Sequence, residues 1–151
     1  MTTGTGRASP TTGNAATVTE LYDAFGRGDV PALLARLADD VAWEEWGDNW
    51  AQRAGLPTMT RRTGPAEVAG FFAIVGTWTL REFTVLDVIG DGHQVVAEVR
   101  AEFALPGGGR FRDEELHLWT FDESGRVVRF RHYLDTAKHI AADRGEDTTA
   151  R

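Results

Sequence analysis

Residues 110–135 read RFRDEELHLWTFDESGRVVRFRHYLD, and the way this stretch folds decides how the rest of the chain is arranged. Asp-Glu-Ser-Gly at 122–125 separates two β-prone runs, which is the signal of a turn between paired strands. Alternate side chains of a pleated strand share a face, so Phe111, Asp113, Glu115, His117, Trp119 and Phe121 fall together on the first run. On the second run Val128, Phe130, His132 and Leu134 form the more apolar set, opposed to Arg129, Arg131 and Tyr133. A face that is half aromatic and half ionisable suits neither a dry core nor open water. It predicts the wall of a pocket.

Working outward, residues 78–89 and 94–105 alternate as two further strands around a Gly-Asp-Gly turn at 90–92. In the second of them Val95, Ala97, Val99, Ala101 and Phe103 share one face, with Glu98, Arg100 and Glu102 on the other. Upstream, Val18, Leu21, Tyr22 and Phe25 recur at helical spacing, predicting a helix over 15–27 with Asn14 as N-cap and Gly28 as stop. Asp29 and Pro31 open a second helix, buried through Leu33, Leu34 and Leu37 and ending at 39–40. A short strand over 41–46 follows, with Val41, Trp43 and Glu45 on one face and Ala42, Glu44 and Trp46 on the other. Residues 47–63 lack periodicity and read as a loop over an opening, with Trp50, Leu56 and Met59 as apolar contacts. Gly64-Pro65 starts a third helix carrying Val68, Phe71, Phe72 and Val75 on its buried side. Asp135 closes the last strand and fits as N-cap of a short helical or frayed tail. Helices gathered ahead of an antiparallel meander predict an α+β fold whose sheet curls round three N-terminal helices, and a strongly curved sheet leaves a gap where pockets form.

Composition sets bounds on partners. A formal charge of −7 argues against nucleic acid and against anionic membrane surfaces, both of which select basic faces. The absence of cysteine removes thiolate catalysis, disulfides and thiol metal ligands. No apolar run approaches the roughly 20 residues that span a bilayer. Residues 1–14 are Thr- and Gly-rich without a secretory hydrophobic segment, and read as a disordered leader of a cytoplasmic protein. One domain over 15–142 and a disordered tail over 143–151 complete the expected organisation.

The run YDAFGRGDVPALLARLADDVAWEE at 22–45, the Gly64-Pro65 helix start and the closing FDESGRVVRFRHYLD resemble the SnoaL-like, ketosteroid-isomerase-like branch of the NTF2-like (nuclear-transport-factor-2) superfamily over residues 15–142. The resemblance implies a cone-shaped fold, the cystatin-like α+β roll, that serves isomerases, cyclases, dehydratases, epoxide hydrolases and binding modules alike. Carried over residue by residue, it places Glu45 at the general base, normally an Asp, and His117 at one of two donors to a developing enolate; the isomerase is a worked example of carboxyl tuning in its own right. The other donor, a Tyr, falls on Leu21, with Tyr22 about 100° further round the helix. The function implied is cofactor-independent acid/base chemistry on a hydrophobic carbonyl or polycyclic molecule.

The residues themselves leave alternatives open. Glu45 ends an apolar strand face, where desolvation would raise a carboxyl pKa, or is a solvated strand end. His117 can donate from one nitrogen and accept at the other, or be satisfied in a structural network with Glu115. Around the pair, Tyr22, Trp43 and Phe103 are expected to line the pocket, together with Glu115, Trp119 and His132. Glu45, His117 and His132 have no metal-ligand spacing, so no metal or other cofactor is assigned. A non-catalytic ligand-binding or dimerisation module is the other reading, and epoxide hydrolysis a third that lacks its Arg because Arg129 and Arg131 face away from His132. Arg100, Arg129, Arg131 and Tyr133 beside Glu98 and Glu102 suit a homodimer through the outer sheet face, as the resemblance also implies.

Overall fold

A computed structural model describes residues 13–150. The expected leader therefore lies, apart from its last two residues, outside the described part. Helix α1 (Asn14–Gly26) buries Val18, Leu21 and Ala24. Asn14 is its first residue and not its cap. The Asp91 carboxylate, from a turn far along the chain, accepts the free Ala15 N–H at 2.8 Å, and Asn14 Nδ2 donates to the Gly92 carbonyl at 2.8 Å. A Cβ on Gly13 would stand 2.6 Å from Asp91 Oδ1, so a larger residue there would have to shift this carboxylate.

Helix α2 (Val30–Leu34) opens as expected, the Asp29 side chain accepting from Ala32 N at 3.1 Å. It ends earlier than the apolar spacing suggests. Leu37 is already in strand β1 (Leu37–Trp43), paired with Val127 and 2 % exposed. An extended Leu37 meets the core and a strand partner at once, which a further helical turn could not offer.

Residues 47–63 are not one loop. They hold α3 (Trp50–Arg53), capped by Asn49, a 3₁₀ turn at Pro57–Met59, and the two-residue strand β2 (Arg62–Thr63). Ala51, Leu56 and Met59 join Ile140 in a small second core. Trp50, expected there, is 62 % exposed, with the Arg53 guanidinium over its ring.

Helix α4 (Gly64–Val75) leads into β3 (Thr79–Ile89), β4 (Gln94–Ala104), β5 (Arg110–Phe121) and β6 (Val127–Tyr133). The six strands form one sheet in the order β2-β1-β6-β5-β4-β3, in which only β1 and β6 run parallel. Helix α1 lies over β3 and β4, and α4 over β1. The core fills the concavity, with Trp43 stacked on Phe130 at 4.1 Å between centroids. The architecture is the α+β class read from the sequence. No helix among the described residues is long and apolar enough to cross a membrane.

The C-terminal segment differs from expectation. Helix α5 (Thr136–Asp143) is capped by Asp135, which accepts from Lys138 N at 3.2 Å. Beyond it the presumed disordered tail docks on the start of β5. Arg110 N–H donates to the Glu146 carbonyl at 3.0 Å, and Thr148 N–H to the Arg110 carbonyl at 2.9 Å. These bonds satisfy backbone groups that a free tail would leave to water.

The α5–β5 seam is tight. A Cβ on Gly109 would lie 1.8 Å from the Ala142 carbonyl oxygen, whereas one on Gly107 in the same turn meets nothing within 4 Å. Gly109→Ala is expected to cost about 1–3 kcal/mol in urea denaturation by forcing α5 outward. Gly107→Ala should be near neutral; equal midpoints for the two variants would show that the seam carries no such constraint.

Candidate functional site

Strand alternation carries Phe111, Asp113, Glu115, His117, Trp119 and Phe121 to the concave face of β5, all of them buried. Between this face and the helices lies a cavity of about 80 Å³, with a predominantly apolar wall. Each expected pocket residue reaches it: Tyr22, Trp43 and Phe103, and with them Glu115, His117, Trp119 and His132. Tyr22 does so although it sits one position past Leu21, because α1 is turned so that both residues face the cavity.

Glu45 does not line the cavity. Its side chain is 44 % exposed and pairs with Arg61 at 2.8 Å. The buried carboxylate is its neighbour Glu44, which is 0 % exposed. Strand β1 stops at Trp43, and Glu44 takes a left-handed backbone with φ 57°. That single dihedral breaks the alternation and turns Glu44 inward. Its N–H extends the ladder to the Phe130 carbonyl at 2.9 Å, and its carboxylate accepts from His132 Nδ1 and, at 2.9 Å, from Trp46 Nε1. With Nδ1 committed to Glu44, His132 Nε2 has no protein partner among the described residues, and His132 is part of the cavity wall.

A second buried network runs from α1 to α5. Trp119 Nε1–H donates to the Tyr22 oxygen at 3.1 Å, and Tyr22 OH meets His117 Nδ1 at 2.6 Å. His117 Nε2 meets Glu115 Oε1 at 2.9 Å. A carboxylate only accepts, so the hydrogen of neutral His117 sits on Nε2 and Nδ1 accepts from the Tyr22 hydroxyl. His139 Nε2, from α5, then lies 2.9 Å from Asp113 Oδ2 and 3.2 Å from Glu115 Oε2. The Asp135 N–H also reaches Asp113 Oδ2, at 3.1 Å, while Asp113 Oδ1 is buried with no partner among the described residues.

Burial and partners divide the titrations. Burial drives the Tyr22 hydroxyl far above its ordinary range, only partly relieved by the Trp119 hydrogen bond, so it stays a neutral donor at working pH. Burial would also raise Glu115, but hydrogen bonds from His117 and His139 outweigh it and hold the carboxylate well below the usual range. For Asp113, burial prevails over His139 and lifts it to about 6. Burial would lower both buried imidazoles. The Asp113 and Glu115 hydrogen bonds instead raise His139 to about 9, and the Glu44 charge raises His132.

Sequence reasoning missed Glu44 and His139. Nothing in a Glu-Glu pair signals which backbone is left-handed, whereas His139 could have been found by continuing the helix that Asp135 caps.

An NTF2-like curved sheet around a buried acid/base cluster is the class this geometry defines. The SnoaL-like domain family matches residues 18–130, and the chain belongs to that family. Among solved structures, an NTF2-like protein of unknown function from Burkholderia pseudomallei is 31 % identical, covering 85 % of this chain and 95 % of its own, with TM-score 0.71. An NTF2-like protein from Burkholderia thailandensis is 23 % identical, covering 87 % and 97 %, with TM-score 0.73. TerC, co-crystallised with polyporic acid, is 21 % identical, covering 86 % and 98 %, with TM-score 0.68. No curated protein matches the chain.

The Glu44–His132 pair has a defined pH signature. A histidine raised in the folded state adds stability that is fully present below its unfolded pKa of about 6.5 and is lost as pH rises through the folded value. As pH rises above about 6.5, wild-type urea stability should therefore fall more steeply than that of Glu44→Gln, which is also expected to be about 1–3 kcal/mol less stable below that pH. Parallel pH profiles would place the origin of the slope elsewhere.

Proposed function

We propose that the protein is a SnoaL-like enzyme that moves a proton next to a carbonyl group of a small hydrophobic molecule, using its own side chains as acid and base. The observation that carries this reading is His132, a residue of the apolar cavity wall that Glu44 holds through Nδ1 and whose Nε2 has no protein partner among the described residues. His132 Nε2 takes a proton from the carbon beside the carbonyl, the electron pair moves onto the carbonyl oxygen, and the proton returns at another carbon. To hydrogen-bond that oxygen Tyr22 turns its one hydroxyl hydrogen away from His117 Nδ1, while Trp119 keeps its bond to the Tyr22 oxygen. His117 has no direct bond to that oxygen in this reading: its Nδ1 meets Tyr22, and Glu115 fixes its tautomer. The role expected of Glu45 passes to the Glu44–His132 pair.

An engineered cavity of about 150 Å³ binds benzene. A cavity of about 80 Å³ therefore admits a ring only if wall side chains move; Phe25, Phe71, Trp78 and Phe83 are half-buried rings of that wall. The apolar wall equally supports a binding module without chemistry, as does TerC holding polyporic acid. Epoxide hydrolysis has less support, since no arginine is among the described residues that line the cavity.

Self-association through the outer sheet face is part of the proposal. Ile89, Leu116 and Tyr133 are exposed there. Arg100 already meets Glu82 and Glu114 within the chain, so apolar contact is the stronger support. Sedimentation is expected to show a dimer that Leu116→Glu dissociates; a wild-type monomer would end this part.

Chemistry and binding separate in one experiment. Hydrogen–deuterium exchange beside the carbonyl of cyclic ketones is followed by mass spectrometry, with binding read from tryptophan fluorescence. Exchange should rise with pH through the raised His132 pKa. His132→Gln is expected to lose about 10²–10⁴-fold, Tyr22→Phe about 10²-fold, and Glu45→Gln nothing. Binding without exchange by the wild type would favour the module reading.

A further inference from the structure

The proton transfer above makes no use of Asp113 or His139. From their geometry we propose that Asp113, Glu115 and His139 form a site for one first-row divalent cation of the Zn²⁺ or Mn²⁺ kind, set in the protein beside the cavity. One ligand atom from each of the three lies within 4.8 Å of the other two, and all three residues are buried. His139 Nε2 stands 2.9 Å from Asp113 Oδ2 and 3.2 Å from Glu115 Oε2. Donors about 2.0–2.2 Å from a shared ion, at angles between a right angle and tetrahedral, stand roughly 3.0–3.5 Å apart. The two spacings from His139 are thus close to those around a shared ion, which would replace the hydrogen that His139 shares with the two carboxylates.

The orphaned oxygen points the same way independently. Asp113 is 5 % exposed, yet its Oδ1 has no hydrogen-bond partner among the described residues. A buried carboxylate oxygen left bare costs about 1–3 kcal/mol unless a proton or a bound ligand satisfies it. A cation held by both oxygens of the Asp113 carboxylate would occupy that lone pair. Outer contacts of the kind that metal sites use are also in place. Asp135 N–H holds Asp113 Oδ2, His117 holds Glu115 Oε1, and the Phe111 ring lies against His139 at 3.8 Å between centroids. One imidazole with two carboxylates suits a borderline divalent ion better than Ca²⁺ or Mg²⁺, which prefer all-oxygen sets. Two carboxylates and a neutral imidazole also balance its charge.

The test is metal titration of the chelator-stripped, full-length protein, read by calorimetry and by thermal midpoint. Wild-type protein should take up one equivalent of Zn²⁺ or Mn²⁺ and gain about 2–8 °C. Co²⁺ should give visible absorption of a nitrogen–oxygen site. Asp113→Asn and Glu115→Gln each remove one anionic donor at constant volume, and should weaken uptake at least tenfold while circular dichroism stays native. His132→Gln should keep the stoichiometry. No uptake by the wild type, uptake unchanged in both carboxamide variants, or uptake lost in His132→Gln would each overturn the proposal. None of these readouts depends on turnover.

Discussion

Ionisable side chains inside an apolar shell must answer one another, and the rest of this structure depends on that requirement. Three of the inward residues of β5 carry acid or base groups, and water cannot serve them. Their partners arrive from elsewhere: Tyr22 from α1, His139 from α5 and the Asp135 N–H from the chain between β6 and α5. Each buried polar group left unpaired costs about 1–3 kcal/mol, a large share of the net stability of a small domain. The placement of both helices is thus fixed by polar accounts as much as by apolar contact. This explains why the α5–β5 seam is so close at Gly109. His139 reaches two carboxylates only if α5 lies against the strand that carries them.

The two networks differ in one respect that separates scaffold from reagent. From Trp119 to Asp113, almost every donor and acceptor is already engaged, so a substrate gains a hydrogen bond there only by displacing one. The Glu44–His132 pair is engaged on one side only. The free nitrogen is on His132, a residue of the cavity wall, and the Glu44 carboxylate is also held by Trp46 Nε1 and, weakly, by the His132 N–H. A base needs that asymmetry: one nitrogen fixed to set the tautomer, the other open to a substrate.

The part of the site that strand periodicity determines was legible in the sequence, because pleating permits no other grouping of Asp113, Glu115, His117 and Trp119. The helix spacing of Val18, Leu21 and Val68 similarly fixed the buried sides of α1 and α4. What could not be read was set by single dihedrals or by distant contacts. Alternation placed Glu45 beside Trp43, and one left-handed residue exchanged it for Glu44. Tyr22 depends on a rotation of α1 that is set by the Asp91 carboxylate at its start and by the groups awaiting it on β5. Residues 47–63 showed no period because their elements are too short to display one, although Asn49 and Pro57 stand where a cap and a first turn require them.

Between the networks there is coupling as well as division of labour. His132 and His117 are register partners on neighbouring strands, with ring centroids 5.7 Å apart. Charges on the β5 side accordingly act on the open pair: Glu115 raises His132 and His139 lowers it, after the larger effects of burial and of Glu44. In an apolar shell such interactions are weakly screened and carry further than they would at the surface. The balance of charge between Glu115 and His139 therefore bears on how readily His132 yields its proton, without either bonding to it. A family fold fixes the cavity but leaves its chemistry open. In this chain the chemistry rests on which charges the backbone turns inward, and on the sign of those standing one residue pair away.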